Sequence, residues 1–394
     1  MSSAHPLDAR RGFRAFLRTL GPRTWAGLTL AWSTVAAFQV LPGDALQAVA
    51  PAAAFASFAL LFGVILWAAF CVVGVADQLA HQLGEPYGTL ILTVSIVVIE
   101  VVLIMAMMLG PGDTGVIARD SMFAVLMLIM NLVAGLCLLL GGLKFGEQEY
   151  NAQGAVSYLS MILVLTGIAF VVPNVLGDAA GRFSSREAVA VMVVVAGLYL
   201  VFVAGQMKWF RRLFLQPDRG ELSVPFRASA VADSRPARMR GSRSLALMRS
   251  VLLVLLVVPI VLLAHHLAVL MDLGIEATGA SVAVGGLLIA IIVFTPESIT
   301  AVRAALANEK QRSMNLYLGA CVSTFGLTVP AVLAIGLLTG NPVVLGLDAL
   351  QTVLLAMTLA LGALSFLGQR TSPIQGLVHL ALFAFYVIFL FSTG

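Results

Sequence analysis

The chain carries very little charge for its length. Of its 394 residues, 11% are Asp, Glu, Lys or Arg and 60% are hydrophobic, whereas about a quarter of the residues in an ordinary soluble domain are charged. A mean hydropathy of +1.01 leaves too few polar side chains to cover a surface in water. The composition therefore predicts an all-α polytopic membrane protein in contact with the lipid bilayer.

Cysteines and common catalytic motifs are also scarce. The three cysteines all lie inside apolar runs and none forms a CxxC pair, which argues against a disulfide framework or a zinc site. The sequence has no HExxH motif, no Walker-type glycine loop and no GxSxG elbow, the signatures of several large enzyme classes. It therefore indicates neither an enzyme nor a bound cofactor.

Apolar runs long enough to cross a bilayer, about 20 residues each, are abundant instead. We predict eleven spans: 24–41, 52–76, 86–109, 120–143, 155–176, 187–208, 250–271, 279–305, 312–339, 345–367 and 374–393. The first follows an arginine-rich segment and resembles a signal peptide, but no small-residue cleavage site closely follows it. We interpret it as a retained helix.

The distribution of the basic residues predicts a topology for these spans. With the N-terminus inside, 20 of the 23 Lys and Arg residues fall on the inner side, and three, Arg119, Arg182 and Arg186, fall outside. Such an asymmetry is typical of proteins in the cytoplasmic (inner) membrane. The N-terminus is then cytoplasmic and the C-terminus external. Because topology explains the basic residues, the net charge of +4 does not indicate a nucleic-acid partner, and nothing in the sequence indicates an oligomeric state.

A single long polar segment divides the chain. Residues 209–249 are rich in Arg, Ser, Pro and Gly and are predicted to form a cytoplasmic linker, with lipid binding by its arginines as the alternative. Residues 1–50 then hold an N-terminal cytoplasmic segment and the first span, while 51–208 and 250–394 each hold five spans.

The two five-span halves share a plan. RDSM (Arg119–Met122) opens the fourth span and QRSM (Gln311–Met314) opens the ninth, at an offset of 192 residues, and the spans before them each contain one glutamate, Glu100 and Glu297, at an offset of 197. Because each half has an odd number of spans, the second must run inverted relative to the first. Two inverted five-helix repeats predict a secondary transporter with its site at the bilayer midplane.

Glu100 and Glu297 are the acidic residues placed well within apolar spans. A charged carboxylate there is costly, so it must face a partner or a wet cavity, or hold a proton. One reading is a neutral Glu bonded to a nearby backbone carbonyl. The other is that two carboxyl groups meeting away from water bind either protons or a cation. Hard cations such as Ca²⁺ and Na⁺ prefer oxygen ligands, which backbone carbonyls, hydroxyls and water would complete.

Pro296 stands directly before Glu297 in LLIAIIVFTPESITAVRAAL. Proline has no N–H, so the carbonyl of Ile292 loses its helical partner. Such a loosened turn is tolerated in a membrane where it lines a cavity. The residues that we expect to line the ion path are Thr93, Asn131, Pro296, Ser298, Thr300, Ser323 and Thr324.

Four segments of the chain suggest a family: HQLGEPYGTLILTVSIVVIEV, LLLGGLKF, TPESITAVRAALANEKQRSMNL and LTVPAV. On these segments the chain resembles the ChaA-type antiporters of the calcium/cation antiporter superfamily. The resemblance implies two inverted five-helix repeats and exchange of cytoplasmic Ca²⁺, Na⁺ or K⁺ for outside protons, with Glu100 and Glu297 as the ion-binding acids. The chain departs from the superfamily in having VVIE where a GNxxE pattern is usual.

We therefore expect a secondary transporter that exchanges cytoplasmic cations, foremost Ca²⁺ and also Na⁺ or K⁺, for external protons by alternating access. Its partners would be inorganic cations, protons and lipid. Two alternatives use the same acids: a passive cation channel, and a Na⁺(K⁺)/H⁺ antiporter without Ca²⁺ activity.

Overall fold

The computed structural model describes residues 21–40, 50–83, 87–109, 115–176, 181–214, 243–368 and 370–392. These residues contain eleven helices. They are α1 (Pro22–Val40), α2 (Pro51–Leu83), α3 (Tyr87–Met108), α4 (Ile117–Phe145), α5 (Ala152–Val175), α6 (Ser185–Met207), α7 (Arg243–Thr278), α8 (Ala283–Leu306), α9 (Lys310–Thr339), α10 (Ala349–Ser365) and α11 (Pro373–Ser392). Within these described residues, eight of the helices are long and apolar enough to cross a membrane.

The eleven helices correspond to the eleven predicted runs, but two of them, α7 and α10, differ from the predicted lengths for a clear physical reason. α7 covers Arg243–Thr278 rather than 250–271, because the helix continues through polar residues on both sides of the apolar run. α10 begins at Ala349 rather than at 345, because Asp348 caps it: the Asp348 side chain accepts from the N–H of Gln351 at 2.7 Å. The residues of the predicted linker between 215 and 242 lie outside the described residues.

α1 packs against the long helices α2 and α7. The indole N–H of Trp32 donates to the carbonyl of Leu255 on α7 at 3.0 Å, and Ala31, Val35 and Phe38 are buried. α1 therefore packs on the first helix of each half, although it is not among the eight helices that are long and apolar enough to cross a membrane.

The two halves pack in a reciprocal pattern. α3, the second helix of the first half, packs against α9, the third helix of the second half. In the same way, α8, the second helix of the second half, packs against α4, the third helix of the first half. The fifth helices α6 and α11 also pack against α9 and α4, and the first helices α2 and α7 pack on each other. A twofold relation between the halves predicts this pairing, whereas the inversion of the second half stays a prediction.

The third helix of each half contains a π-helical segment at its centre. In α4 it spans Leu128–Val133, and in α9 it spans Thr324–Thr328. Their starts are 196 residues apart, which agrees more closely with the glutamate offset than with the offset of the RDSM and QRSM segments. Single π turns are frequent at functional sites because they redirect side chains from the regular helical faces.

Segments predicted to be cytoplasmic meet at one end of the bundle. There β1 (Gln148–Glu149) pairs antiparallel with β2 (Arg370–Thr371), and Lys144 Nζ donates to the carbonyl of Leu306 at 2.8 Å. We call this the Lys144 end.

Segments predicted to be external meet at the opposite end. Arg182 and Val344 form an isolated antiparallel bridge, and Asp120 accepts from Arg119 at 2.8 Å and from Gln351 at 2.9 Å. The alternation of segments between the two ends agrees with the predicted topology, and the cytoplasmic orientation of the Lys144 end stays a prediction.

Candidate functional site

Glu100 lies at the contact between the two halves. Its side chain on α3 is fully buried, and its Oε2 accepts a hydrogen bond from the Thr324 hydroxyl at 3.1 Å. Thr324 opens the π segment of α9, 224 residues further along the chain. The fold thus brings together an acid from the first half and a hydroxyl from the second.

Glu297 on α8 faces the same region. The two carboxyl groups are close enough to interact electrostatically. Glu297 Oε2 and Glu100 Oε1 are each enclosed by protein and make no hydrogen bond within the described residues. Two glutamates, one from each half, therefore lie within electrostatic range of each other, and each has an enclosed oxygen atom without a hydrogen bond in the described part of the chain.

One face of α9 lines the Glu100 side of this centre. Thr328 stands one turn after Thr324, close to the Glu100 carboxyl, and its Oγ1 makes no hydrogen bond within the described residues. Cys321 lies one turn before Thr324 and also interacts with Glu100. All three side chains are buried.

This arrangement suits a proton or a hard cation. A buried carboxylate oxygen without a donor is unfavourable by several kcal/mol, and either a proton on the carboxyl group or a bound cation removes that penalty. The four carboxylate oxygens and the hydroxyls of Thr324 and Thr328 are the hard ligands that Ca²⁺ and Na⁺ prefer. No group of three or more His, Cys, Asp or Glu occurs among the described residues, so backbone carbonyls and water would complete a coordination shell.

The turn around Pro296 is less disrupted than expected. α8 remains helical from Ala283 to Leu306 through Pro296, so the change is confined to the missing N–H. The hydroxyls of Ser298 and Thr300 donate to carbonyls of their own helix, at Phe294 (2.6 Å) and Pro296 (3.0 Å). Both hydroxyls can still accept from water or coordinate a cation, but each donates its hydrogen to its own helix rather than to a glutamate.

Asn131 is held in a different network. Its Nδ2 donates to Thr358 on α10 at 2.9 Å, and its Oδ1 lies 3.2 Å from His379 Nδ1 on α11. Ser365 lies 3.1 Å from the other ring nitrogen, His379 Nε2. All four side chains are buried. Because Asn131 Oδ1 can only accept, His379 Nδ1 carries the hydrogen, and the network joins the π segment of α4 to the last two helices.

Two further predicted residues, Ser323 and Thr93, stay predictions as residues of the ion path. Ser323 donates to the carbonyl of Ala320 at 2.9 Å on its own helix, and Thr93 is half-buried two turns before Glu100. Thr328 and Cys321 were absent from the predicted site. Thr328 lies four residues after Thr324, and Cys321 lies three residues before it, so all three share one helical face. This spacing could have been recognised from the sequence.

The sequence and the fold both match known proteins. The family model described as "Sodium/calcium exchanger protein" matches residues 53–208 and 248–392. The "Sodium-potassium/proton antiporter ChaA" of Escherichia coli (strain K12) is 35% identical over 328 residues, which are 83% of this chain and 87% of that protein.

Two solved structures share the fold. Native YfkE matches with a TM-score of 0.68 at 17% identity, over 94% of this chain and 98% of the other. The H⁺/Ca²⁺ exchanger CAX matches with a TM-score of 0.65 at 18% identity, over 93% of this chain and 87% of the other.

Proposed function

Because this chain belongs to the sodium/calcium exchanger protein family, we propose that it is a cation/proton antiporter in which Glu100 and Glu297 bind either a cation or protons. The observation that carries the proposal is the pair of enclosed carboxyl groups, one from each half, with an unsatisfied oxygen on each within the described residues. Since protons and a cation compete for the same oxygens, the protein carries one or the other in each direction, which couples the two fluxes.

Ca²⁺ is the cation that we propose first. Two carboxylates neutralise one divalent ion, and hydroxyls, carbonyls and water can raise the ligand number to the six to eight that Ca²⁺ takes. The match to a relative named a sodium-potassium/proton antiporter favours Na⁺ or K⁺ as the second candidate. The chain would sit in the cytoplasmic membrane, with its N-terminus inside.

Access would alternate through movement of α2 and α7. These are the two longest helices among the described residues, at 33 and 36 residues, and they pack on each other and on α3. Rocking of this pair against α3, α4, α8 and α9 would expose the glutamates to one side and then the other, as in transporters built from inverted repeats.

The ion is identified by imposing a pH gradient on inverted membrane vesicles and adding Ca²⁺, Na⁺ or K⁺ in turn. We expect Ca²⁺ to dissipate the gradient, with protons leaving as Ca²⁺ enters. Dissipation by Na⁺ or K⁺ without any response to Ca²⁺ would establish the second candidate. Cation flux without proton movement would contradict antiport and indicate a channel.

Thr324→Val should weaken cation binding. It removes the hydroxyl that donates to Glu100 and could coordinate the cation. A hydrogen bond to a charged group contributes about 1.5–3 kcal/mol, so we expect the apparent KM for the cation to rise at least about tenfold. Thr324→Ser keeps the hydroxyl and is the control. Equal KM values in both variants would remove Thr324 from the site.

A further inference from the structure

A continuous buried polar face runs along α9 beyond the glutamates. At spacings of three and four residues it carries Lys310, Ser313, Tyr317, Cys321, Thr324 and Thr328, and all six side chains are buried. Such spacing keeps side chains on one side of a helix. Lys310 begins the helix at the Lys144 end, and at 1.5 Å per residue the face extends about 21 Å from Lys310 to Thr324.

Several polar atoms on this face are enclosed without a well-formed hydrogen bond. Lys310 Nζ, Ser313 Oγ, Tyr317 OH and Thr328 Oγ1 make none within the described residues, although Ser313 lies near Cys137 and Thr328 lies near the Glu100 carboxyl group. Native proteins leave few such atoms unsatisfied, and ordered water is the usual explanation for a row of them. The face therefore has the chemistry of a hydrated passage that ends at Glu100.

Lys310 places an amino group at the outermost position of this passage. The side chain is fully buried, and it interacts with Cys137 on α4 and with His379 on α11. Neither neighbour is a carboxylate, and Nζ has no hydrogen-bond partner in the described part of the chain. An ammonium group in such surroundings repels a metal cation strongly, because the low effective dielectric screens it little.

The corresponding helix of the first half has no such row in the part of the chain that the structure describes. Of the buried polar side chains on α4, Asp120 and Asn131 are hydrogen-bonded, and Ser121 alone has an unsatisfied oxygen. The row of enclosed polar atoms without hydrogen bonds is therefore a feature of one half within the described residues, and it leads from the glutamates toward one end of the bundle.

From this geometry we propose that the polar face of α9 is a proton path, separate from the route of the cation, which connects Glu100 with the Lys144 end. The proposal rests on the antiport function above. A proton leaving a Glu100 carboxyl group passes to water on the face. Each water or hydroxyl along it gives up one proton as it takes one, so that a single proton reaches the solution. Lys310 keeps metal cations out of the path.

Two exchange measurements separate this path from the cation site. Exchange driven by a pH gradient needs protons and cations to move, whereas exchange of isotopically labelled for unlabelled cation at equal pH needs the cation route alone. We expect Ser313→Ala/Tyr317→Phe to slow driven exchange about 100-fold, the lower range of what positioned proton-transfer groups contribute. Isotope exchange should be unchanged.

Matched controls lie at the opposite end of the bundle. Ser121 and Tyr386 also have buried hydroxyls without a partner among the described residues, so Ser121→Ala/Tyr386→Phe makes the same chemical changes off the face and should alter neither rate. If the Ser313→Ala/Tyr317→Phe variant lost both rates equally, the two residues would have a structural role and the proton path would be overturned. The path would also be overturned if neither rate fell. If the double variant fails to fold, the single variant Tyr317→Phe, which keeps the ring, is measured in the same two assays and judged by the same outcomes.

Lys310→Met provides a second, independent readout. Loss of the positive charge should admit metal cations to the path, so we expect cation leakage at equal pH that Lys310→Arg does not show. Tight coupling in Lys310→Met would contradict the role of Lys310 as a barrier. Absence of isotope exchange in the unaltered protein would instead overturn the antiport function, and the path with it.

Discussion

Glu100→Gln and Glu297→Gln should each abolish cation/proton exchange while leaving the fold intact. Each replacement removes one negative charge and one site for the exchanged proton. An ion pair at about 4 Å is worth about 4 kcal/mol at an effective dielectric constant of about 20, so the cation should bind roughly a thousandfold more weakly. The readout is pH-gradient-driven exchange in inverted vesicles, together with the amount of folded protein.

The fold is expected to survive because Gln retains the shape and one acceptor oxygen. In Glu100→Gln the amide oxygen can still accept from Thr324, which bonds Oε2 in the unaltered protein at 3.1 Å. Glu276→Gln is the matched control, since Glu276 is exposed near the end of α7 and should exchange normally. Transport retained in both buried variants would refute the assignment of the glutamates.

Composition and pattern predicted the fold well because a bilayer imposes simple rules. Each span must be a helix of about 20 apolar residues. The eleven predicted runs correspond to eleven helices in the described part of the chain, of which eight are long and apolar enough to cross a membrane. The family resemblance inferred from the GEPYG and PE segments is confirmed by the family match over 53–208 and 248–392. Helix ends were predicted less well, since α7 extends through polar residues that hydropathy alone assigns to a loop.

Glu100 and Glu297 stand out in the sequence for the same reason: a carboxylate among apolar residues in a membrane helix needs an explanation. Their role in ion binding stays a prediction, and the sequence does not identify the residues that contact them. The hydrogen bond between Thr324 and Glu100 joins residues 224 positions apart. Thr324 also begins a π-helical segment, which the sequence pattern does not predict. The contacts of Asn131 were likewise not predictable, because His379 and Thr358, which bond its amide, lie on α11 and α10; its place on the ion path stays a prediction.

The position of Glu297 depends on how closely α8 approaches α4. A Cβ atom on Gly286 would lie 2.8 Å from both N and Cα of Ser121, so the two backbones touch where a side chain has no room. Small residues permit this close approach of helices in membranes. Glu297 lies eleven residues further along α8, about 16 Å at 1.5 Å per residue, and any displacement of α8 would shift its carboxyl group.

Gly286→Ala should therefore reduce both stability and exchange. Because the clash is with backbone atoms that cannot rotate away, we expect a loss of about 1–3 kcal/mol, typical of overpacking, measured as a lower melting temperature in detergent. Gly285→Ala should cost less, since its Cβ would meet the mobile methyl ends of Met107 and Met271. Gly274→Ala, with no atom within 4 Å, should stabilise α7 slightly. If Gly286→Ala matched Gly274→Ala in melting temperature and exchange rate, the close contact of α4 with α8 would not be what positions Glu297.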